Sequence, residues 1–186
     1  MSLSLLESGA IRLRPDFLHD SHKLFEHLTH AIAWDTRFRA RQMASFGLPY
    51  NYSGVVWPVS PFPESVGRLL PLVAAEVGFE PNNCLANFYP DGEASMGFHS
   101  DATDELAPNT GIAVLSLGAE RTITFRRHDK TASESHALPS GSLLWMCLGM
   151  QADWRHAVLA DKAVAGGRIS LTFRLMKTSP GSTHAG

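Results

Sequence analysis

The sequence predicts an α+β domain in which helices near the N-terminus cover one sheet of a β-sandwich, a barrel or a double-sheet jelly roll. Two observations lead to this fold class. Before Pro81, apolar residues recur at helical spacing in two segments, whereas after Pro81 short strand-like runs alternate with turn residues. The chain has 186 residues, a length at which one domain buries a substantial core.

Two helices are expected in the first half of the chain. Asp20 is a suitable N-cap for the first helix. The apolar face of that helix would be formed by Leu24, Phe25, Leu28, Ala31 and Ile32. A second helix is expected over residues 63–77, where Pro71 should kink or shorten it and Gly78 should end it.

Strands are expected in runs that are separated by turn-forming residues such as Asp91-Gly92 and Gly166-Gly167. These runs are residues 84–89, 97–101, 112–117, 122–125, 142–146 and 168–175. Residues 41–54 lie between the two predicted helices. Their content of aromatic residues, glycine and proline indicates a functional loop.

Composition excludes several classes of protein. The formal net charge is −2 and 44% of residues are hydrophobic, which excludes disorder as the main state. No apolar run reaches the roughly 18 residues that cross a membrane. Two cysteines cannot form a disulfide framework and are expected to be small buried hydrophobes. We expect a monomeric, cytoplasmic protein with one domain over residues 1–177 and a disordered tail at residues 178–186.

His99 and Asp101 are the first candidate metal ligands. Alternate residues of a strand face the same way, so this imidazole and this carboxylate would converge on one point. One histidine and one carboxylate, joined by a distant second histidine, form the facial triad of non-haem Fe(II) oxygenases. The second histidine could be His128, His136 or His156. We choose His156, because an apolar run follows it, whereas the other two lie in charged or polar segments.

The last predicted strand carries polar side chains on one face. Period-two alternation brings four of them together: Arg168, Ser170, Thr172 and Arg174. This face could be solvated, or it could be a slot for a dicarboxylate, because guanidinium groups pair with carboxylates and keep their charge when buried. Asn87 and Tyr89 alternate in the same way and could bind the same anion.

In their order along the chain, these motifs resemble the AlkB-type Fe(II)/2-oxoglutarate-dependent dioxygenases, and most closely the branch of nucleic-acid demethylases. The similar region covers residues 41–176 and includes Met96-Gly97 before the His-x-Asp triplet. The resemblance implies a double-stranded β-helix (a distorted jelly roll) over residues 84–176, with the N-terminal helices packed on one sheet.

The resemblance also implies two cofactors, Fe(II) and the co-substrate 2-oxoglutarate. The implied iron ligands are His99, Asp101 and His156. The implied co-substrate residues are Asn87, Tyr89, Arg168, Ser170 and Arg174. Of these, Arg168 and Tyr89 would bind the distal carboxylate, while Asn87 and Arg174 would lie at the iron end. Arg174 also counts as catalytic, because it is expected to steady Asp101.

By the same resemblance, residues 41–54 would be a substrate-recognition lid. Its implied substrate-binding residues are Arg41, Phe46, Tyr50 and Tyr52. Aromatic side chains there could stack on a flipped base, or they could belong to the core under a loop. Because the whole chain is not basic, a nucleic acid would need a local basic patch. The candidates, unless they are scattered surface charges, are Arg37, Arg39, Arg41, Arg121, Arg126 and Arg127.

The implied activity is oxidative demethylation of alkylated bases in DNA or RNA, with release of formaldehyde, succinate and CO2. Only residues 34–40 occupy the place where relatives that act on duplexes carry a hairpin with an apolar wedge, so we expect a single-stranded substrate. The near-neutral charge leaves open a hydroxylase of a small metabolite or a protein side chain. A jelly roll that binds without turnover is a third hypothesis, which the complete set of iron ligands disfavours.

Overall fold

The computed structural model describes residues 3–38, 40–52 and 55–178, with the backbone alone at residues 51–52 and 55–56. The tail expected at residues 178–186 therefore lies outside the described residues, apart from Thr178. Across these ranges, no helix has both the length and the apolar character needed to cross a membrane.

The helices of the described chain are α1 (Ser21–Ala31), α2 (Glu64–Gly67), α3 (Leu70–Val77) and one 3-10 helix (Leu148–Ala152). α1 begins directly after Asp20, as predicted, although the Asp20 side chain makes no capping hydrogen bond. The predicted second helix is divided into α2 and α3. Pro71 lies in the first turn of α3, where its missing amide hydrogen breaks no helical bond. Gly78 ends α3 in the left-handed conformation, with φ of 82°.

The strands follow the chain from near the N-terminus to residue 174. They are β1 (Ile11–Arg14), β2 (Gln42–Gly47), β3 (Asn51–Tyr52), β4 (Val55–Val56), β5 (Asn83–Tyr89), β6 (Met96–His99), β7 (Gly111–Gly118), β8 (Arg121–Arg127), β9 (Ser133–Leu138), β10 (Leu143–Cys147), β11 (Trp154–Val158) and β12 (Arg168–Arg174).

Two antiparallel sheets form the domain. The major sheet has the order β1-β10-β7-β12-β5-β2, and the minor sheet has the order β6-β11-β8-β9, while β3 and β4 form a separate hairpin. β12 lies inside the major sheet, between β7 and β5. Its register with β5 places Arg168 opposite Tyr89 and Ser170 opposite Asn87. The two motifs that the sequence suggested for one anion are therefore neighbours.

The core has two layers, one on each face of the major sheet. Between the sheets, Leu85 and Val114 of the major sheet belong to one buried cluster with Phe125 of the minor sheet. On the other face of the major sheet, Leu28 of α1 and Val73 of α3 belong to a cluster with buried strand residues. The helices thus cover one sheet, as predicted.

Residues 41–54 are not the loop that the composition indicated. Most of the first part is β2, which pairs with β5 at the edge of the major sheet. The side chains of β2 are buried on both faces, so the strand shows no polar and apolar alternation by which it could have been found. β1 also belongs to the major sheet, so the sheets extend beyond the predicted core of residues 84–176. The predicted strand at residues 97–101 ends at His99, and Asp101 follows it.

Leu115→Ala should lower the free energy of unfolding by about 2–5 kcal/mol, because Leu115 is fully buried under the helices and its truncation leaves a cavity. Leu72→Ala is the matched control, since Leu72 on α3 is 50% exposed. We expect the control to change the free energy by less than about 0.5 kcal/mol. Urea unfolding followed by circular dichroism measures both, and equal losses would contradict this assignment of the core.

Candidate metal centre and its cavity

The minor sheet brings the three predicted metal ligands together. β6 and β11 pair so that His99 lies directly opposite His156, and their ring centroids are 4.3 Å apart. Asp101 follows β6, and its Oδ2 atom lies 3.6 Å from Nε2 of His156. One ligand atom from each of the three residues lies within 4.8 Å of the others. Two imidazoles and a carboxylate on one side of a point form a facial donor set, which fits Fe(II).

Neighbouring groups orient these ligands. Nδ1 of His99 lies 2.9 Å from the carbonyl oxygen of Gly97, and donation to that oxygen directs Nε2 toward the other ligands. The backbone amide of Asp101 donates to Oε1 of Gln151 at 2.9 Å. Nη2 of Arg174 donates to Oδ1 of Asp101 at 2.7 Å. The carboxylate is therefore held at one oxygen by the major sheet, while its second oxygen faces His156.

The charge states suit metal binding. Burial alone would raise the pKa of Asp101, but the charges of Arg174 and the two imidazoles outweigh it and lower the pKa to about 2. Burial lowers the pKa of His156 to about 4, against the opposing effect of Asp101. At neutral pH the site therefore offers a carboxylate and an uncharged imidazole, which are the forms that ligate metals.

The two histidines that were not chosen as metal ligands, His128 and His136, have other surroundings. His128 is exposed, and its Nε2 lies 3.4 Å from the hydroxyl of Ser100. His136 lies on β9, and its Nε2 lies 2.6 Å from Oε1 of Glu134. Neither belongs to the cluster of potential ligands, so the choice of His156 from the sequence agrees with the geometry.

One cavity between the sheets contains the metal ligands and the residues predicted to bind 2-oxoglutarate. The lining includes the polar side chains Asn87, Tyr89, His99, Asp101, His156, Arg168, Ser170, Thr172 and Arg174. Every residue of β12 is buried. The polar face of this strand is therefore directed into the cavity, and the alternative of a solvated face is wrong.

Each of the two arginines of β12 has hydrogen-bond donors that lack an acceptor. Arg168 is 1% exposed, and its Nη2 donates to the hydroxyl of Ser116 at 2.8 Å, whereas its Nε and Nη1 have no partner. Arg174 is 2% exposed, and its Nε and Nη1 also have none. A buried donor without an acceptor costs about 1–3 kcal/mol, and more on a charged group. These atoms suit the oxygens of a dicarboxylate.

Two of the predicted lid residues lie next to this site, but in different roles from those expected. Nε of Arg41 donates to Oδ1 of Asn87 at 2.8 Å, and the side chain is buried. Tyr50 is 1% exposed, and its hydroxyl lies 3.5 Å from Oδ1 of Asp101. The guanidinium of Arg174 lies 4.1 Å from the centroid of the Tyr50 ring. Tyr50 therefore lies beside Asp101 and Arg174, and its ring faces the Arg174 guanidinium.

Phe46 does not belong to the site, and the prediction that it binds substrate is corrected. It lies in the buried cluster on the helix-covered face of the major sheet, with Leu28 and Val73. Along β2, Phe46 and Ala44 share that face, while Met43 belongs to the cluster between the sheets. The side chain of Tyr52, and residues Ser53 and Gly54, lie outside the described part of the chain.

The predicted basic patch is also corrected. Arg121 is 3% exposed and donates to backbone carbonyls, so it is a buried structural cation. Arg41 is buried as well, Arg37 forms an ion pair with Asp35, and Arg39 lies outside the described residues. The remaining two arginines, Arg126 and Arg127, are half-buried at the end of β8.

Sequence reasoning did not assign roles to Ser116 and Gln151. Ser116 supports Arg168 from the neighbouring strand β7. A serine within an otherwise apolar run was the available signal for it. Gln151 supports Asp101 from the 3-10 helix, 50 residues away along the chain. No local pattern could have indicated that contact.

The cysteines differ in burial. Cys84 of β5 is fully buried opposite Phe173, as predicted, and burial raises the pKa of its thiol. Cys147 is only half-buried.

Comparison with known proteins agrees with these features. The family model described as 2OG-Fe(II) oxygenase superfamily matches residues 2–174. The alpha-ketoglutarate-dependent dioxygenase alkB homolog 3 of Rattus norvegicus is 32% identical over 98% of this chain and 72% of its own length. The DNA oxidative demethylase ALKBH2 of Homo sapiens is 35% identical over 72% of this chain, and the match spans 56% of that relative.

A solved structure supports the fold. The structure of OsALKBH1 superimposes with a TM-score of 0.66 at 20% identity, over 89% of this chain and 97% of that one. The predicted jelly roll is thereby confirmed. With a family model that matches nearly the whole chain and relatives above 30% identity, the chain belongs to the 2OG-Fe(II) oxygenase superfamily and, within it, to the AlkB-type dioxygenases.

Proposed function

We propose that this protein is an Fe(II)- and 2-oxoglutarate-dependent oxidative demethylase of alkylated bases in nucleic acid. The observation that carries the proposal is one cavity lined both by the facial donor set and by two buried arginines with unpaired donors. The names of two relatives, a dioxygenase and a DNA oxidative demethylase, support the reaction and the substrate.

His99, Asp101 and His156 would hold the metal. The major sheet would fix the carboxylate through Arg174, and β6 would fix the ring of His99 through the carbonyl of Gly97. His99 is the most exposed of the three ligands, so the metal would be reached by substrate from its side.

The arginines of β12 would hold 2-oxoglutarate. The keto-acid end would lie at the metal, beside Asn87 and Arg174, and the distal carboxylate would accept hydrogen bonds from Arg168. Ser116 already occupies one nitrogen of Arg168, which leaves the other two nitrogens for the carboxylate. Ser170 lies opposite Asn87 on the same wall of the cavity.

When bound, Fe(II) and 2-oxoglutarate supply the oxidation of an N-methyl carbon by dioxygen, with formaldehyde, succinate and CO2 as products. The protein excludes water from this reaction by burying Asp101, His156 and both arginines of β12. It also keeps Asp101 and His156 in their metal-binding protonation states, as the low pKa values of these two residues indicate.

A single-stranded substrate is supported by the segment before β2. The backbones of Asp35 and Met43 form a β-bridge through two hydrogen bonds, so few residues are available between them for a hairpin that carries a wedge. Phe38, an apolar side chain of this segment, packs partly against the cluster between the sheets. That position does not suit a side chain that must enter a duplex.

His99→Ala should abolish conversion of 2-oxoglutarate to succinate, because the two remaining ligands hold the metal poorly. The matched control is His27→Ala, on the exposed side of α1, which should keep wild-type turnover. Succinate release without a second substrate measures both variants. Wild-type turnover in His99→Ala would contradict the assigned metal centre.

Arg168→Met should raise the KM for 2-oxoglutarate by about 10- to 100-fold, since a hydrogen bond to a charged group contributes about 1.5–3 kcal/mol. The control is Arg12→Met, because Arg12 is an exposed arginine stacked on Trp145. Steady-state kinetics with varied 2-oxoglutarate provides the measurement. An unchanged KM in Arg168→Met would remove this residue from the co-substrate site.

A single-stranded oligonucleotide that carries 1-methyladenine or 3-methylcytosine should couple its repair to succinate release, and its binding should weaken as salt rises. Mass spectrometry of the oligonucleotide and a succinate assay test this coupling, with the unmethylated strand as control. If the protein converts 2-oxoglutarate but neither repairs nor binds the oligonucleotides, the substrate is instead a small metabolite or a protein side chain.

A further inference from the structure

We propose that Arg121 is a positioning residue for 2-oxoglutarate. As a second buried cation near Arg168, it would favour a co-substrate that has a distal carboxylate. The inference rests on the proposed function and deepens it. Arg121 does not line the cavity, so it would act through its neighbours Tyr89 and Arg168, which do.

The guanidinium of Arg121 donates its hydrogen bonds to backbone carbonyl oxygens. Nη1 donates to Asp91 at 3.1 Å, and Nη2 is shared among the carbonyls of Gly92, Ala94 and Leu159 at 3.4, 3.0 and 2.7 Å. The first three acceptors precede β6, and the fourth follows β11. One side chain therefore fastens together the two loops that adjoin the metal-binding strands.

Other contacts also hold the two loops together, next to the part of the cavity that Tyr89 and Val158 line. Besides the bonds from Arg121, the amide of Asp161 donates to the carbonyl of Gly92 at 2.7 Å. A Cβ atom on Gly92 would collide with the carbonyl oxygens of Asp161 and Val164, so the loops are in direct contact. Tyr89, Ala94 and Val158 form the apolar cluster beneath them. The two loops thus form a packed structure.

The charge of Arg121 is not neutralised by a carboxylate. Among the described residues, no acidic side chain forms an ion pair with it, and a carbonyl oxygen carries only a partial charge. The guanidinium carbons of Arg121 and Arg168 lie 5.8 and 5.3 Å from the ring centroid of Tyr89. Two buried cations therefore lie near the same aromatic ring.

This arrangement is unfavourable without an anion. Burial lowers the pKa of Arg168, Tyr89 opposes this change, and the charge of Arg121 acts in the same direction as burial. A bound carboxylate at Arg168 would be attracted by both cations, because buried charges are poorly screened over such distances. The structure thus contains a repulsion that a dicarboxylate would relieve and a monocarboxylate, held at the metal end, would not.

The test compares two keto acids on the Mn(II)-loaded protein, in which binding occurs without turnover. 2-Oxopentanoate has the chain length of 2-oxoglutarate but carries a methyl group in place of the distal carboxylate. Isothermal titration calorimetry would measure both ligands with wild type, Arg121→Met and Arg121→Lys. Arg12→Met, far from the cavity on β1, is the matched control.

Arg121→Met should weaken 2-oxoglutarate binding by about tenfold and leave 2-oxopentanoate binding unchanged, because one charge interaction with the distal carboxylate is lost. Arg121→Lys keeps the charge and should recover most of the affinity. In turnover assays, Arg121→Met should raise the KM for 2-oxoglutarate more than it lowers kcat.

Equal weakening of both keto acids, or no weakening of either, would overturn the inference, since the first indicates general disruption and the second no role. If Arg121→Met does not fold, Arg121→Gln replaces it, because glutamine removes the charge and can still donate to the backbone carbonyls: a loss confined to 2-oxoglutarate supports a role of the charge, and a loss common to both ligands or no loss contradicts it. Failure of the wild type to bind 2-oxoglutarate would contradict the proposed function itself, whereas normal wild-type binding with unaffected variants contradicts only the role of Arg121.

Discussion

The hydrogen bond from Arg174 to Asp101 is the contact on which the site depends. Arg174 ends the strand at the centre of the major sheet, and Asp101 follows the edge strand of the minor sheet, so their 2.7 Å contact joins the sheets at the metal end. Isolated burial of either charge would be costly, and even a good buried pair adds little net stability. Its value is positional, because it fixes one carboxylate oxygen and leaves the other for a metal.

Around that pair, the inner face of β12 is an unusual surface for a sheet interior. It carries only polar side chains, while the residues between them belong to the core on the opposite face of the sheet. The guanidinium donors on the inner face exceed the acceptors that the protein provides. In natural proteins, buried polar groups that lack hydrogen-bond partners occur mainly at functional sites. The apolar clusters on both faces of the major sheet supply the stability that such a face lacks.

Sequence patterns predicted the parts of this site that follow a simple period. On β12 and β5 the two-residue repeat grouped Arg168 with Arg174 and Asn87 with Tyr89, and the register of the strands then brought both groups together. Patterns failed where both faces of a strand are buried, as at Phe46, and where charge suggested exposure, as at Arg121. Neither residue's environment is encoded locally, because both depend on segments that pack from elsewhere in the chain.

The burial of the Cys84 thiol affects how well the protein resists oxidation. Oxidative damage to cysteine begins from the thiolate, and burial keeps this thiol protonated even though the cation of Arg174 is close by. An enzyme that activates dioxygen exposes its own side chains to stray oxidation. Because Cys84 lies in the buried cluster under the helices, the fold keeps this thiol away from oxidants that leave the metal site.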